Sequence, residues 1–250
     1  MIFPPWALFT YMLNSLKEKI YFRQHPDAAL RYFPIVDLLK KYNFENSKIL
    51  EIGSGAYGIA PYLKKEVSGV DVDFTEPQFP LLKQFKGSAL SLPFDKNSFD
   101  ICIVSDVLEH LPADNRAKAV GETVRVARQA VVISGPFGKN AAAQDKKLAD
   151  YSIKKTGHLH PFFADHIEYG LPEVEDVEEW VRNNAKVKSI EDAGQYFNLG
   201  VRQMLMKFFI TDKKPVFYFY LKGLMPLVPF LRRVNKPPCY RRVFLLHLRQ

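Results

Sequence analysis

Lys48-Ile-Leu-Glu-Ile52-Gly53-Ser-Gly55-Ala-Tyr-Gly58 is the stretch on which the reading of this chain turns. Lys48–Ile52 is a short apolar run that stops at a glycine-rich turn, the pattern of a buried strand. Glycines at 53, 55 and 58 let the backbone turn tightly and approach a ligand closely. Ile59–Glu66 then fits a helix. Ser68-Gly-Val-Asp-Val72 reads as a second strand with an acid, Asp71, near its end. Strand, glycine turn, helix, strand and acid is the order of a nucleotide-binding βαβ unit, in which the acid meets a ribose diol.

Outward from this unit, Phe99–Val104 and Ala130–Ser134 read as two further buried strands. A helix over Asp114–Ala127 lies between them, with Asp114 as its N-cap. Strands alternating with helices predict parallel pairing. Upstream, Leu8–Phe22 and Asp27–Tyr42 have helical periodicity, so residues 1–43 form N-terminal helices. Downstream, Phe137–Asp150 is polar and rich in Ala and Lys, and reads as a loop or short helix. Glu173–Asn184 reads as an acidic helix with Val174, Val177, Trp180 and Val181 on one face. Ala185–Glu191 and Tyr240–Arg249 read as strands. Between those two lies residues 196–238, rich in Phe, Tyr, Leu and Met, with no strand pattern.

The blocks after the glycine turn narrow the family. Gly87-Ser-Ala-Leu-Ser-Leu-Pro-Phe94, Asn97-Ser-Phe-Asp100 and Val104-Ser-Asp-Val-Leu-Glu-His-Leu111 follow in order. Together with Glu51–Gly58 they make residues 48–135 resemble class I S-adenosylmethionine (SAM)-dependent methyltransferases of the small-molecule and ubiquinone type. The resemblance implies an α/β fold in one domain spanning 1–250. Its doubly wound, mostly parallel seven-stranded sheet is Rossmann-like, and 48–135 is the SAM-binding core. The last two strands form an antiparallel hairpin, and 196–238 is a helical cap inserted between them. It also implies that Gly53, Ser54 and Gly55 lie under the methionine part of SAM, with Glu51 toward its ammonium. Asp71 would take the ribose hydroxyls and Val72 would touch the adenine. Ser88, Ala89 and Leu90 would flank the adenine edge, and Ser105 would face the sulfonium end. Many relatives carry an acid where Ser88 stands.

Transfer of a methyl group from a sulfonium needs alignment and exclusion of water, and a base only when the nucleophile is protonated. His158 and His160, in Gly157-His-Leu-His-Pro-Phe-Phe163, are the candidate bases, because imidazole titrates near neutrality. Asp106 stands near the reactive end. Glu109-His110 serves either the site or a helix cap. His158, His160 and His166 lack the spacing of a metal site, so no metal is expected. The Asp/Asn-Pro-Pro-aromatic motif of amino-directed nucleic-acid methyltransferases is absent after Val104. Neither Cys102 nor Cys239 has a Pro-Cys context, and two cysteines build no disulfide framework.

The net charge of +8 is unevenly placed: residues 1–200 carry 24 basic and 26 acidic side chains, residues 201–250 carry 11 basic ones and a single acid, Asp212. A basic block beside Phe217-Tyr-Phe-Tyr220 and Leu224–Leu231 suits an anionic membrane surface. Equally, the aromatics bury one another in the cap while the basic residues are solvated. Pro215–Leu231 is shorter than the roughly 20 residues a spanning helix needs, and Met1–Tyr11 lacks the basic region of a signal peptide. The chain therefore reads as a cytoplasmic enzyme, with peripheral attachment to the inner face of a membrane as an option. Its acceptor would be a small-molecule, lipid-linked or glycan-precursor compound, of amphipathic character if drawn from a membrane. An RNA methyltransferase is the alternative, disfavoured because no nucleic-acid-binding module is present. A non-catalytic SAM-fold adaptor is the second alternative.

Overall fold

The computed structural model describes residues 25–74 and 79–249. The predicted helix Leu8–Phe22 and the segment Met1–Tyr11 lie outside them. Helix α1 (Pro26–Lys41) leads into β1 (Ile49–Ile52), the short α2 (Ala60–Leu63), β2 (Val67–Asp71), β3 (Leu82–Lys86) and β4 (Phe99–Ser105). Helix α3 (Ala113–Val126), β5 (Ala127–Pro136) and α4 (Gly138–Thr156) follow, then α5 (Ala164–Glu168) and α6 (Val174–Val181). The long β6 (Val187–Asn198) and β7 (Cys239–Leu248) close the sheet. Between them stand α7 (Leu199–Phe209), α8 (Lys214–Tyr218), a π-helical turn (Phe219–Gly223) and α9 (Val228–Leu231).

The seven strands run in the order β3-β2-β1-β4-β5-β7-β6. All neighbours are parallel except β5–β7 and β6–β7. This is the mostly parallel, doubly wound sheet expected from the sequence. Both faces are covered, which is why its central strands are continuous apolar runs. Leu50, Ile52, Cys102, Val104, Val131 and Ile133 pack on one face. Ile49, Ile101, Ile103, Ala130 and Val132 pack on the other, against Tyr32, Ile35, Val36 and Leu39 of α1. Strand order reverses between β1 and β4, so a crevice opens beyond their carboxyl ends.

Four local expectations differ from the structure, one being that the strand expected over Ala185–Glu191 runs on to Asn198, so residues 196–198, expected in the cap, belong to the sheet. Residues 138–156 form a 19-residue helix rather than a loop or short helix. Its buried face is Ala141, Gln144, Asp145, Leu148, Ala149 and Ser152. The spacing is helical, but half the residues are polar, so hydrophobic periodicity does not reveal it. Asp114 is not the cap of α3; Pro112 holds that position and Asp114 lies in the first turn, where an acid favours the helix dipole. The helix expected over Ile59–Glu66 is only Ala60–Leu63, because Lys64 adopts a left-handed backbone (φ +56°).

The segment between β6 and β7 packs on α1 through Leu205, Tyr220, Leu224, Met225 and Val228, which with Phe197 of β6 meet Ala29 and Leu30. Several basic side chains of residues 201–250 are paired with acids from the first 200 residues. Arg202 pairs with Asp145, Arg241 with Asp27 and Asp106, Arg232 with Asp37, and Arg242 with Asp192. The block of positive charge read from sequence is therefore partly internal. Tyr218, Phe219, Leu227 and Phe230 remain exposed. No helix among the described residues is long and apolar enough to cross a membrane.

Candidate active site

The crevice at the strand-order reversal is a cavity of about 380 Å³ lined by the glycine turn, the end of β2, the 87–89 loop and the segment after β4. Gly53, Asp71, Val72, Ser88, Ala89 and Asp106 all reach it, as the sequence reading expected. Val107, His110 and Leu111 reach it as well. The sequence carried one sign of these three, the Glu109-His110 pair.

The glycine turn owes its shape to left-handed residues. Gly53 has φ +72° and Gly55 φ +53°. A Cβ on Gly53 would lie 2.2 Å from Val107 Cγ2, so the turn fits against the β4 loop only without a side chain. A Cβ on Gly55 would meet nothing within 4 Å. The turn thus leaves free space above Gly55. The Gly55 N–H donates to Asp71 Oδ2 at 2.8 Å, and the Val72 N–H to Asp71 Oδ1 at 2.7 Å. Asp71 thereby links the ends of β1 and β2, and each oxygen keeps a lone pair for a further hydroxyl. Val72 is 65% exposed, unusual for an apolar side chain beside a cavity and suited to a flat partner. Ser88 Oγ accepts the Leu90 N–H at 3.2 Å, which shapes the loop and leaves its own proton free to be donated.

Other expected residues lie behind the cavity wall. Ser54 is buried and packs against Gly69, its hydroxyl directed to the Gly55 carbonyl at 3.1 Å. Leu90 packs against the core. Glu51 and Ser105 are fully enclosed. Strand alternation puts both on the face covered by α1. Glu51 Oε2 accepts the Ile59 N–H at 2.6 Å, while among the described residues Oε1 has no hydrogen-bond partner of normal geometry and the Ser105 hydroxyl has none either.

Burial raises the Glu51 carboxyl from 4.5 to about 7, against the opposing effects of the Ile59 N–H and Tyr32. A carboxyl whose folded pKa is raised contributes stability that is complete below the unfolded value near 4.5 and lost as pH rises through 7. Glu51→Gln keeps an acceptor for Ile59 and removes the charge. It should be stabilising by less than about 1 kcal/mol at pH 5 and by about 3 kcal/mol at pH 8, at 1.36 kcal/mol per pKa unit. Urea unfolding at the two pH values measures this, and a difference independent of pH would contradict it.

Asp106 is a keystone rather than a base. Its backbone is left-handed (φ +55°) and its carboxylate is held by Arg31, at 2.8 Å, and by Arg241. Although burial opposes ionisation, Arg241 and Arg31 outweigh it and hold the carboxyl at about 2. A group so acidic takes a proton poorly at neutral pH. Asp27 completes the buried quartet, 3.4 Å from Arg31 and 3.6 Å from Arg241.

His158 and His160 do not line the cavity. His158 is exposed, with Nδ1 3.1 Å from the Thr156 carbonyl. His160 caps the turn at Pro161–Phe163 by accepting the Phe162 N–H, and its ring lies 5.0 Å from that of Phe209. Both histidines fix their loop. His166 joins neither; it lies 5.0 Å, ring to ring, from His110.

The residues present fit SAM. Free space over Gly55, an anchored ribose-side acid and an exposed apolar platform at Val72 are what such a ligand requires. The sequence model of a methyltransferase domain family matches residues 50–133. An uncharacterized protein of Methanocaldococcus jannaschii is 32% identical over 127 residues, 46% of this chain and 52% of that protein. The chain thus spans about half the length of that curated relative. A SAM-dependent methyltransferase from Thermotoga maritima, described as a possible histamine N-methyltransferase, shares the fold. It has 14% identity and a TM-score of 0.52, over 98% of this chain and 100% of that one. The YcgJ protein of Bacillus subtilis does so at 17% identity and a TM-score of 0.50, over 86% of this chain and 98% of that one. With the glycine turn, the acid after β2 and the sheet order all in place, residues 50–133 match the methyltransferase domain family, and the chain has the fold of the SAM-dependent methyltransferases.

Proposed function

We propose that this chain transfers the methyl group of SAM to a small-molecule, lipid-linked or glycan-precursor acceptor. The observation that carries the reading is Asp71, which lines the cavity at the sheet's switch point beside Gly53 and Val72 and accepts the N–H groups of Gly55 and Val72. Asp71 would hold the ribose hydroxyls, Val72 with Ser88 and Ala89 the adenine, and the Gly53–Gly55 turn the methionine portion. Bound SAM supplies an electrophilic methyl group. The protein's part is to align an acceptor with it and keep water out. His110 is the imidazole that lines the cavity among the described residues, so it replaces His158 and His160 as the group able to handle a proton there.

Calorimetry with SAM and with its demethylated product tests the proposal. Wild type should bind both, and Asp71→Ala should bind SAM about 1–3 kcal/mol more weakly, the usual loss of a hydrogen bond to a charged group. No heat with wild type would refute it.

The exposed Tyr218, Phe219, Leu227 and Phe230 favour an amphipathic acceptor or a membrane contact beside Lys213, Lys214, Arg233 and Lys236. Binding to anionic vesicles, weakened by salt, is the expected result. Equal exclusion from anionic and neutral vesicles would leave these residues as cap surface only.

A further inference from the structure

Glu109, His110 and His166 form a cluster of which the methyl transfer described above uses only His110. Glu109 and His110 belong to the single turn that follows β4, and His166 to α5. One potential ligand atom from each residue lies within 4.8 Å of the other two. Glu109 is 2% exposed and forms no ion pair among the described residues.

Both imidazoles are oriented by carboxylates. His110 Nδ1 is 2.9 Å from Asp165 Oδ2, and His166 Nδ1 is 2.8 Å from Asp145 Oδ2. Asp145 is itself fixed by the Tyr240 hydroxyl at 2.7 Å and by Arg202 at 2.7 Å. A carboxylate at Nδ1 places the proton there and leaves the Nε2 lone pair free. His166 Nε2 is buried and has no hydrogen-bond partner among the described residues. Histidines whose second nitrogen donates to a carboxylate are the usual outer arrangement of metal centres. Two imidazoles with one carboxylate are the donor set of transition-metal sites that keep open positions.

We propose that Glu109, His110 and His166 bind one divalent transition-metal ion, with its open coordination positions toward the cavity that His110 lines. The donors, within 4.8 Å of one another, need to close in by up to about 1.5 Å, since ligand atoms around a tetrahedral ion with bonds near 2.0–2.1 Å are about 3.3 Å apart. Rotation of the Glu109 and His110 side chains supplies such a movement. An ion there would present its free positions to an oxygen of the acceptor, a hydroxyl or a carboxylate, at the end of the cavity remote from Val72. The competing arrangement is a metal-free hydrogen bond between Glu109 and His166.

The test uses the full chain, stripped with a chelator and without SAM, so its outcome is independent of the cofactor proposal. Titration with Co²⁺ is followed by its visible d–d absorption, and Zn²⁺ is then added as competitor. One equivalent of Co²⁺ should bind with imidazole coordination and be displaced by Zn²⁺. His110→Ala should weaken binding at least about 100-fold. Asp165→Asn, which touches no ion, should weaken it about 10–100-fold through loss of ring orientation. His110 and Asp165 have side chains 34% and 45% exposed, so neither change endangers the fold. Substoichiometric uptake by wild type, or wild-type affinity in His110→Ala, would overturn the proposal in favour of the hydrogen-bonded cluster.

Discussion

Arg241→Ala is expected to lower the unfolding free energy by about 3–5 kcal/mol, the usual loss when one partner of a buried ion pair is removed. Arg241 is 2% exposed and joins three elements: it extends from β7 to Asp106 after β4 and to Asp27 at the start of α1. Without it, two enclosed carboxylates share Arg31 alone. One of them must then take a proton, or water must enter. Either outcome loosens α1 from the sheet edge, and α1 covers Glu51 and Ser105. Replacing charge and countercharge together should harm less than the two single changes combined. Arg241→Met with Asp106→Asn should therefore show coupling of about 0.5–3 kcal/mol relative to the separate variants. Chemical denaturation of the four proteins measures this. A loss below about 1 kcal/mol for Arg241→Ala would mean that the quartet is solvated in solution.

Gly53→Ala should abolish measurable SAM binding, a loss of more than about 100-fold, or 2.8 kcal/mol. Its methyl group would stand 2.2 Å from Val107 Cγ2, and Val is stiff at χ1, so the β4 loop must move away from the turn. The left-handed backbone adds about 1–2 kcal/mol and overpacking about 1–3 kcal/mol, so stability should fall as well. Gly55→Ala is the informative contrast. It bears the same backbone strain, but its methyl group meets nothing in the protein. Its stability loss should stay near the backbone term, while SAM affinity drops because the methyl group enters the space above the turn. Calorimetry and thermal unfolding of both variants distinguish the two effects. Equal stability losses at the two positions would show that the close approach of Val107 does not shape the turn.

Buried strands and the turn between them are local features, and the chain displays them openly. Ile49–Ile52, Phe99–Ser105 and Ala127–Pro136 are apolar on both faces because helices cover both sides of the sheet. Glycines at 53, 55 and 58 mark a backbone that only residues without a side chain adopt easily, and Asp71 follows at the βαβ interval. So the sheet, its switch point and the cofactor end of the cavity follow from residues close together in sequence. Helix α4 was hidden because its inner face includes Gln144, Asp145 and Ser152, and only partners elsewhere make those residues fit to bury. Gln144 and Asp145 face Arg202, and Asp145 also meets His166 and Tyr240.

The same reason governs the rest of what tertiary structure decided. In sequence His166 stands nearest to His158 and His160, whereas folding delivers it to Glu109 and His110. Sequence sums made residues 201–250 a free positive block, whereas folding places Arg202, Arg232, Arg241 and Arg242 against acids far upstream. A hydrophobic period is set by a residue's own neighbours along the chain. The partner of a charge or a lone pair is set by which strand ends the topology brings together, and that information lies in no single segment.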